Sequence, residues 1–151
     1  MIAIRAAAPA DAEALAALRW EFRAGREDPV ETRDAFTARC GAWMRRELQA
    51  GAPWHAWLAL EDDLACGQVW LQIVGKLPNP VGEKTRHGYV SNLYVRPAVR
   101  GGVGTRLLTA ALDFARANAV DRVVLWPSAR SVSLYTRFGF VRGADSMELK
   151  L

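Results

Sequence analysis

Apolar and polar residues alternate through Ile2-Ala-Ile-Arg5, the period of a short strand, and the spacing then lengthens to that of a helix. Pro9 suits a first helical position and Asp11 its positive end, while Leu15, Leu18 and Phe22 share one face of a helix reaching about Ala24. A second helix is predicted from about Thr32 to Gln49, with Phe36, Cys40, Trp43, Met44 and Leu48 at helical spacing and Gly51 as the stop. Trp54 to Leu60 and Leu64 to Val74 read as strands joined by a tight hairpin at Glu61-Asp-Asp63. An exposed loop containing Pro78 and Pro80 follows, from Gly75 to Arg86. The pattern then predicts a strand from Gly88 to Val95 and a helix from Val103 to Asn118, with Leu107, Ala111, Phe114 and Ala115 facing inward. A strand from Arg122 to Trp126, a short helix from Ser131 to Arg137 and a sixth strand from Ser146 to Leu151 complete the series. This order implies an α+β fold: a mixed, mostly antiparallel sheet of about six strands, whose fourth and fifth strands run parallel through a helical crossover.

Length and composition narrow the class. The 151 residues suit one domain, 1–151, large enough to bury a single core, with no linker or repeat. With 51% hydrophobic and 24% charged residues the chain resembles an ordinary globular protein. Its apolar runs fall far short of the ~20 residues of a membrane span, and Met1-Ile-Ala-Ile-Arg5 is not a secretory leader, so a cytoplasmic location is expected. Cys40 and Cys66 lack the paired spacing of a metal or redox site and are expected to be buried free thiols, with no metal bound. The net charge of +4 comes from 20 basic residues scattered among 16 acidic ones, without a basic helix or lysine run, which argues against nucleic acid as the partner. Six tryptophans are many for this length, and Trp43, Trp54, Trp57 and Trp70 sit in the first half, as core or as the lining of a pocket.

The candidate chemistry lies at Val95-Arg-Pro-Ala-Val-Arg-Gly-Gly-Val-Gly-Thr-Arg-Leu-Leu108, where a strand passes through a glycine-rich turn into a helix. Gly101, Gly102 and Gly104 allow backbone conformations closed to other residues, and the first turn of the helix offers unpartnered N–H groups at its positive end. That combination suits a pyrophosphate, with Arg100 and Arg106 flanking it, although glycine turns also precede helices for structural reasons alone. A nucleoside-triphosphate loop would need Gly-Lys and then Ser or Thr, but Thr105 and Arg106 follow Gly104. A dinucleotide loop would need a third glycine where Leu107 stands.

Leu93-Tyr-Val-Arg-Pro97, the glycine turn and Leu107-Leu108 together resemble the acetyl-CoA-binding segment of the GNAT superfamily of N-acetyltransferases. Val123-Val-Leu-Trp-Pro127 and Tyr135-Thr-Arg-Phe-Gly-Phe140 resemble its later segment, and Ile2 to Asp11 its first strand and helix. The resemblance implies helices on both faces of the sheet, fourth and fifth strands that splay apart, and acetyl-CoA as cosubstrate. Leu93, Tyr94 and Val95 would pair with the pantetheine amides. Arg100, Gly101, Gly102, Val103, Gly104, Thr105 and Arg106 would hold the phosphates, and Ser128 would take the place of a frequent cofactor-touching asparagine. One departure stands out: the family's Arg or Gln three positions before Gly-x-Gly is here Val99, with Arg100 one place late, as in a loop one residue shorter.

The implied reaction is direct acetyl transfer to a primary amine of a small molecule such as an amino acid, amine or drug-like acceptor, with the first two helices walling the acceptor site. Tyr135 matches the family's general acid, and the N–H of Leu93 or Val95 suits the oxyanion. The fourth strand holds no carboxylate; His87 is the candidate base, Ser91 and Asn92 can hold a water, and Glu61 and Glu83 read as solvated. Acetylation of a protein N-terminus or lysine and a non-catalytic acyl-CoA-binding module are the alternatives. No membrane partner is expected, and edge strands, Ser146 to Leu151 above all, suit a homodimer.

Overall fold

The computed structural model describes residues 1–151 except Glu83, Arg100 and Ala144. Five strands form one sheet in the order β1 (Ile2–Ala6), β2 (Trp54–Glu61), β3 (Leu64–Gly75), β4 (Arg86–Val95) and β5 (Val120–Val124). Neighbours pair antiparallel except β4 and β5, which are parallel. The β2–β3 hairpin closes with Asp62 and Asp63 at φ 48° and 65°, the left-handed pair that matches the twist of the flanking strands.

Because successive strand residues face opposite sides, the sheet divides the core in two. Ala56, Leu58 and Trp70 point toward α1 (Ala12–Ala24) and α2 (Arg33–Glu47), where they meet Leu15, Leu18 and Met44. Trp57, Val69, Leu71 and Val90 point the other way, toward Leu107, Leu108 and Ala111 of α3 (Val103–Ala117) and Tyr135 of α4 (Val132–Arg137). The Thr32 hydroxyl caps α2 by accepting from the Ala35 N–H at 3.2 Å. A turn of 3-10 helix at Pro9–Asp11 leads into α1. Here the Asp11 carboxylate accepts from both Arg5 terminal nitrogens, at 2.7 and 2.8 Å, and from the Ala8 N–H at 2.7 Å.

Gln68 is fully buried on the α1 side of β3. Its amide donates to the Leu15 carbonyl at 3.3 Å, and its oxygen accepts from the Trp70 indole N–H at 3.0 Å. Gln68→Leu orphans that indole nitrogen in the core and is expected to cost about 1–3 kcal/mol, read as a lower urea midpoint at unchanged slope.

Two strand expectations need correction. The fifth strand is Val120–Val124, not Arg122 to Trp126, because Ala119 at φ 56° turns the chain back directly after α3. Residues 146–151 form no strand: Met147, Leu149 and Leu151 alternate in apolar character but lie fully exposed with no neighbouring strand to pair with. The sheet therefore has five strands rather than six, and that edge for pairing between subunits is absent.

Candidate active site

The parallel pairing of β4 with β5 stops at Tyr89 opposite Val124, and β4 runs on beyond it from Val90 to Val95. On its other side the register against β3 slips between Gln68 and Trp70, and Asn92 adopts φ 56°. This bulge bends the strand and ends its regular ladder. The opened flank of β4 forms a groove of about 500 Å³ whose far wall includes Leu125, Ser128, Leu134 and Tyr135.

Gly102 and Gly104 line the end of this groove. Gly101 and Gly102 have φ of 58° and 86°, and a Cβ at either would meet nothing within 4 Å, so conformation and not space demands glycine there. Gly102 is the N-cap of α3, and no side chain among the described residues caps the helix.

Of the residues singled out in the sequence, the structure gathers Leu93, Tyr94, Val95, Gly102, Gly104, Ser128 and Tyr135 in this groove. Val103, the first residue of α3, is buried in the core, while Gly101, Thr105 and Arg106 are exposed without lining the groove. Arg100 and Glu83 lie outside the described residues. His87 pairs with Val74 and Arg122 at the opposite end of β4 and lines neither this groove nor the cavity beside it, so the structure does not bring the expected base to the site. Four residues of strand separate it from Ser91, about 13 Å.

Tyr135 is buried, its ring edge-on to Phe140 at 5.6 Å, and its hydroxyl has no hydrogen bond to the protein among the described residues. Burial pushes this phenol above its ordinary pKa, so it stays protonated at neutral pH. Ser128 is half-engaged by its own turn: its Oγ lies 3.0 Å from that of Ser131, and its carbonyl accepts from the Ser131 hydroxyl at 3.0 Å.

A second cavity, of about 340 Å³, lies between α1, α2 and the sheet. Trp43, Trp54 and Trp70 wall it, whereas Trp57 packs on the other face of the sheet against Phe114 at 5.4 Å. Cys66 is buried as expected, donating to the Ala59 carbonyl at 3.4 Å, but Cys40 is only half-buried and belongs to the wall of this cavity. Burial raises both thiols, which keeps them neutral.

Arg19 is the residue that pattern reading passed over. It shares the apolar face of α1 with Leu15 and Phe22, and a cation on such a stripe was the available signal. Its guanidinium donates to Asn92 Oδ1 at 3.1 Å and lines both cavities, which meet at Arg19, Ser91 and Asn92. Burial, helped by neighbouring Arg23, pulls its pKa down, although a guanidinium stays charged. Arg23 continues the same stripe and, with Arg26 just beyond the helix and Arg130, lines the groove, so α1 does carry basic residues on this face where no basic helix was expected. Arg96 fixes α1 against the end of β4 through two bonds to Glu21, at 2.8 and 2.9 Å, which hold the Glu21 carboxyl below its usual range.

Solved structures share this fold at low identity. A predicted acetyltransferase from Clostridium acetobutylicum, solved with acetyl-CoA, is 22% identical with a TM-score of 0.81, over 99% of this chain and 96% of that one. A GCN5-related N-acetyltransferase from Ralstonia eutropha is 22% identical with a TM-score of 0.79, over 99% of both chains. An aminoglycoside N-acetyltransferase in complex with CoA is 18% identical with a TM-score of 0.75, over 100% of this chain and 95% of that one. Among curated proteins no sequence matches. The model of the acetyltransferase (GNAT) family matches residues 13–140, a span that takes in the bulged β4, the glycine turn and Tyr135, and the chain belongs to this family of acyltransferases.

Proposed function

We propose that this chain transfers the acetyl group of acetyl-CoA directly to a primary amine of a small molecule. The observation that carries this reading is the meeting of the two cavities at Arg19, Ser91 and Asn92, which gives a thioester along β4 and an amine from the aromatic side a common point of contact. The uncapped start of α3, the left-handed Gly101 and Gly102 and the arginines at 23, 26 and 130 suit the phosphates of the cosubstrate. The flank of β4 from Leu93 to Val95, beyond the end of its pairing with β5, suits its amides.

In the reaction the amine nitrogen forms a bond to the acetyl carbon and the C–S bond breaks with its electron pair on sulfur. An N–H of Leu93 or Val95 stabilises the oxyanion, Tyr135 supplies a proton to the departing thiolate, and the proton lost from nitrogen passes to water. None of the described residues of the loop 76–85 lines either cavity, which favours a small acceptor over a peptide laid along that loop.

Melting the protein with acetyl-CoA at 100 times its dissociation constant tests the reading, with adenosine diphosphate and phosphate as controls. The stabilisation of about 2.7 kcal/mol corresponds to a rise of about 5–10 °C. Free thiol should then appear on addition of amines. A protein unmoved by millimolar acetyl-CoA would overturn the proposal, and binding without thiol release from any amine would leave a non-catalytic acyl-CoA-binding module.

A further inference from the structure

The cavity between α1 and α2 sets two recognition elements side by side. Its wall is aromatic: Trp43, Trp54 and Trp70 stand 5.6, 5.9 and 6.0 Å from one another between ring centroids. Its charge is wholly cationic, for Arg19 and Arg39 line it and no carboxylate does among the described residues. Arg39, at the exposed rim, is already paired with Glu31. Arg19 is different. It is half-buried, has no carboxylate partner among the described residues, and uses one donor on Asn92. A guanidinium carries five N–H donors, and one withdrawn from water without a counter-charge is stabilised by an incoming anion.

Position adds a constraint. Arg19 stands at the junction with the groove, bonded to the bulge residue of β4. On the acetyl-transfer reading, an anion held there sits beside the point where the acceptor amine meets the thioester. In an α-amino acid the amine and the side chain leave the same carbon, next to the carboxylate. We infer that the acceptor is a free α-amino acid with a large apolar or aromatic side chain, its carboxylate on Arg19 and its side chain among the three tryptophans. This rests on the acetyl-transfer reading above. A volume of about 340 Å³ suits one such molecule. The same charge disfavours polycations, since Arg19 has no carboxylate partner among the described residues to offset its repulsion. It also bears on the missing base: a cation a few ångströms away disfavours an ammonium, so the bound amine sheds its proton more easily without a carboxylate on β4.

Titration calorimetry on the protein saturated with CoA compares L-phenylalanine with phenethylamine, which lacks only the carboxylate, and with kanamycin as a polycation. Thiol release from acetyl-CoA is followed with the same three compounds. L-phenylalanine is expected to bind at least about 50-fold more tightly than phenethylamine, and kanamycin not at all. Arg19→Met should narrow the ratio to below about threefold and Arg19→Lys should recover part of it, with acetyl-CoA still raising the melting temperature of both variants. Should Arg19→Met fail to fold, the comparison on the unaltered protein decides alone. Equal or tighter binding of phenethylamine or kanamycin overturns the inference, as does failure of all three to bind or a ratio untouched by Arg19→Met. Tight binding of phenylalanine without thiol release supports the amino-acid site and overturns the acetyl-transfer reading instead.

Discussion

Tyr135→Phe is expected to lower kcat at saturating acceptor by about 10²- to 10⁴-fold, the usual range for loss of a general acid. The substitution keeps the ring, so the edge-on contact with Phe140 and the burial of the α4 side chain survive and the fold is not at stake. What disappears is a hydroxyl that lines the groove and makes no hydrogen bond to the protein among the described residues. Burial raises its pKa, and a phenol that holds its proton tightly is available as a donor throughout the neutral range. The departing thiolate, forming in the same desolvated groove, is driven toward its protonated form as well, so the transfer is not opposed by a large difference in acidity. Thiol release under steady state reads kcat, and a melting scan with acetyl-CoA reads cosubstrate binding. The expected pattern is a collapsed kcat beside an unchanged thermal shift. An unchanged kcat would remove Tyr135 as the acid.

The same residue illustrates what could be read from the chain. The glycine turn and the Leu93 to Val95 strand lie within one crossover unit, which local spacing constrains, whereas Tyr135 follows that unit on α4 and was legible only through the family resemblance. The acceptor side depends on contacts between segments far apart in the chain. Arg19 meets Asn92 across 73 residues, a pairing that no local period encodes. His87 lies away from the groove for the complementary reason: membership of a strand does not say which end of it, and the groove opens where pairing with β5 stops. The tail at 146–151 has the alternation of a strand, but a strand also needs a partner edge, which periodicity cannot supply.

Leu107→Ala is the second large effect, this time on stability. Leu107 is fully buried in the second turn of α3, in the cluster with Val69, Leu71, Val95 and Tyr135. Truncating a buried leucine costs about 2–5 kcal/mol, and the cost depends on how far the surroundings collapse into the space left. Here they are held. β3 is paired along both edges, and α3 is anchored at its start by the turn at Gly101 and Gly102. The upper half of the range is therefore expected, a fall in melting temperature of about 7–20 °C. Glycine opposite the leucine explains why no simple refilling exists. A Cβ on Gly67 would lie 3.3 Å from Leu107 Cδ1 but also 3.0 Å from the Tyr94 carbonyl oxygen, which belongs to the backbone of β4. Removing the leucine relieves only the first contact. Gly67→Ala combined with Leu107→Ala is thus expected to melt no higher than Leu107→Ala alone, because the added methyl presses on the strand that carries the site. Recovery of half or more of the lost stability in the double variant would show that β4 yields at Tyr94, and that the bulged strand is softer than its packing implies.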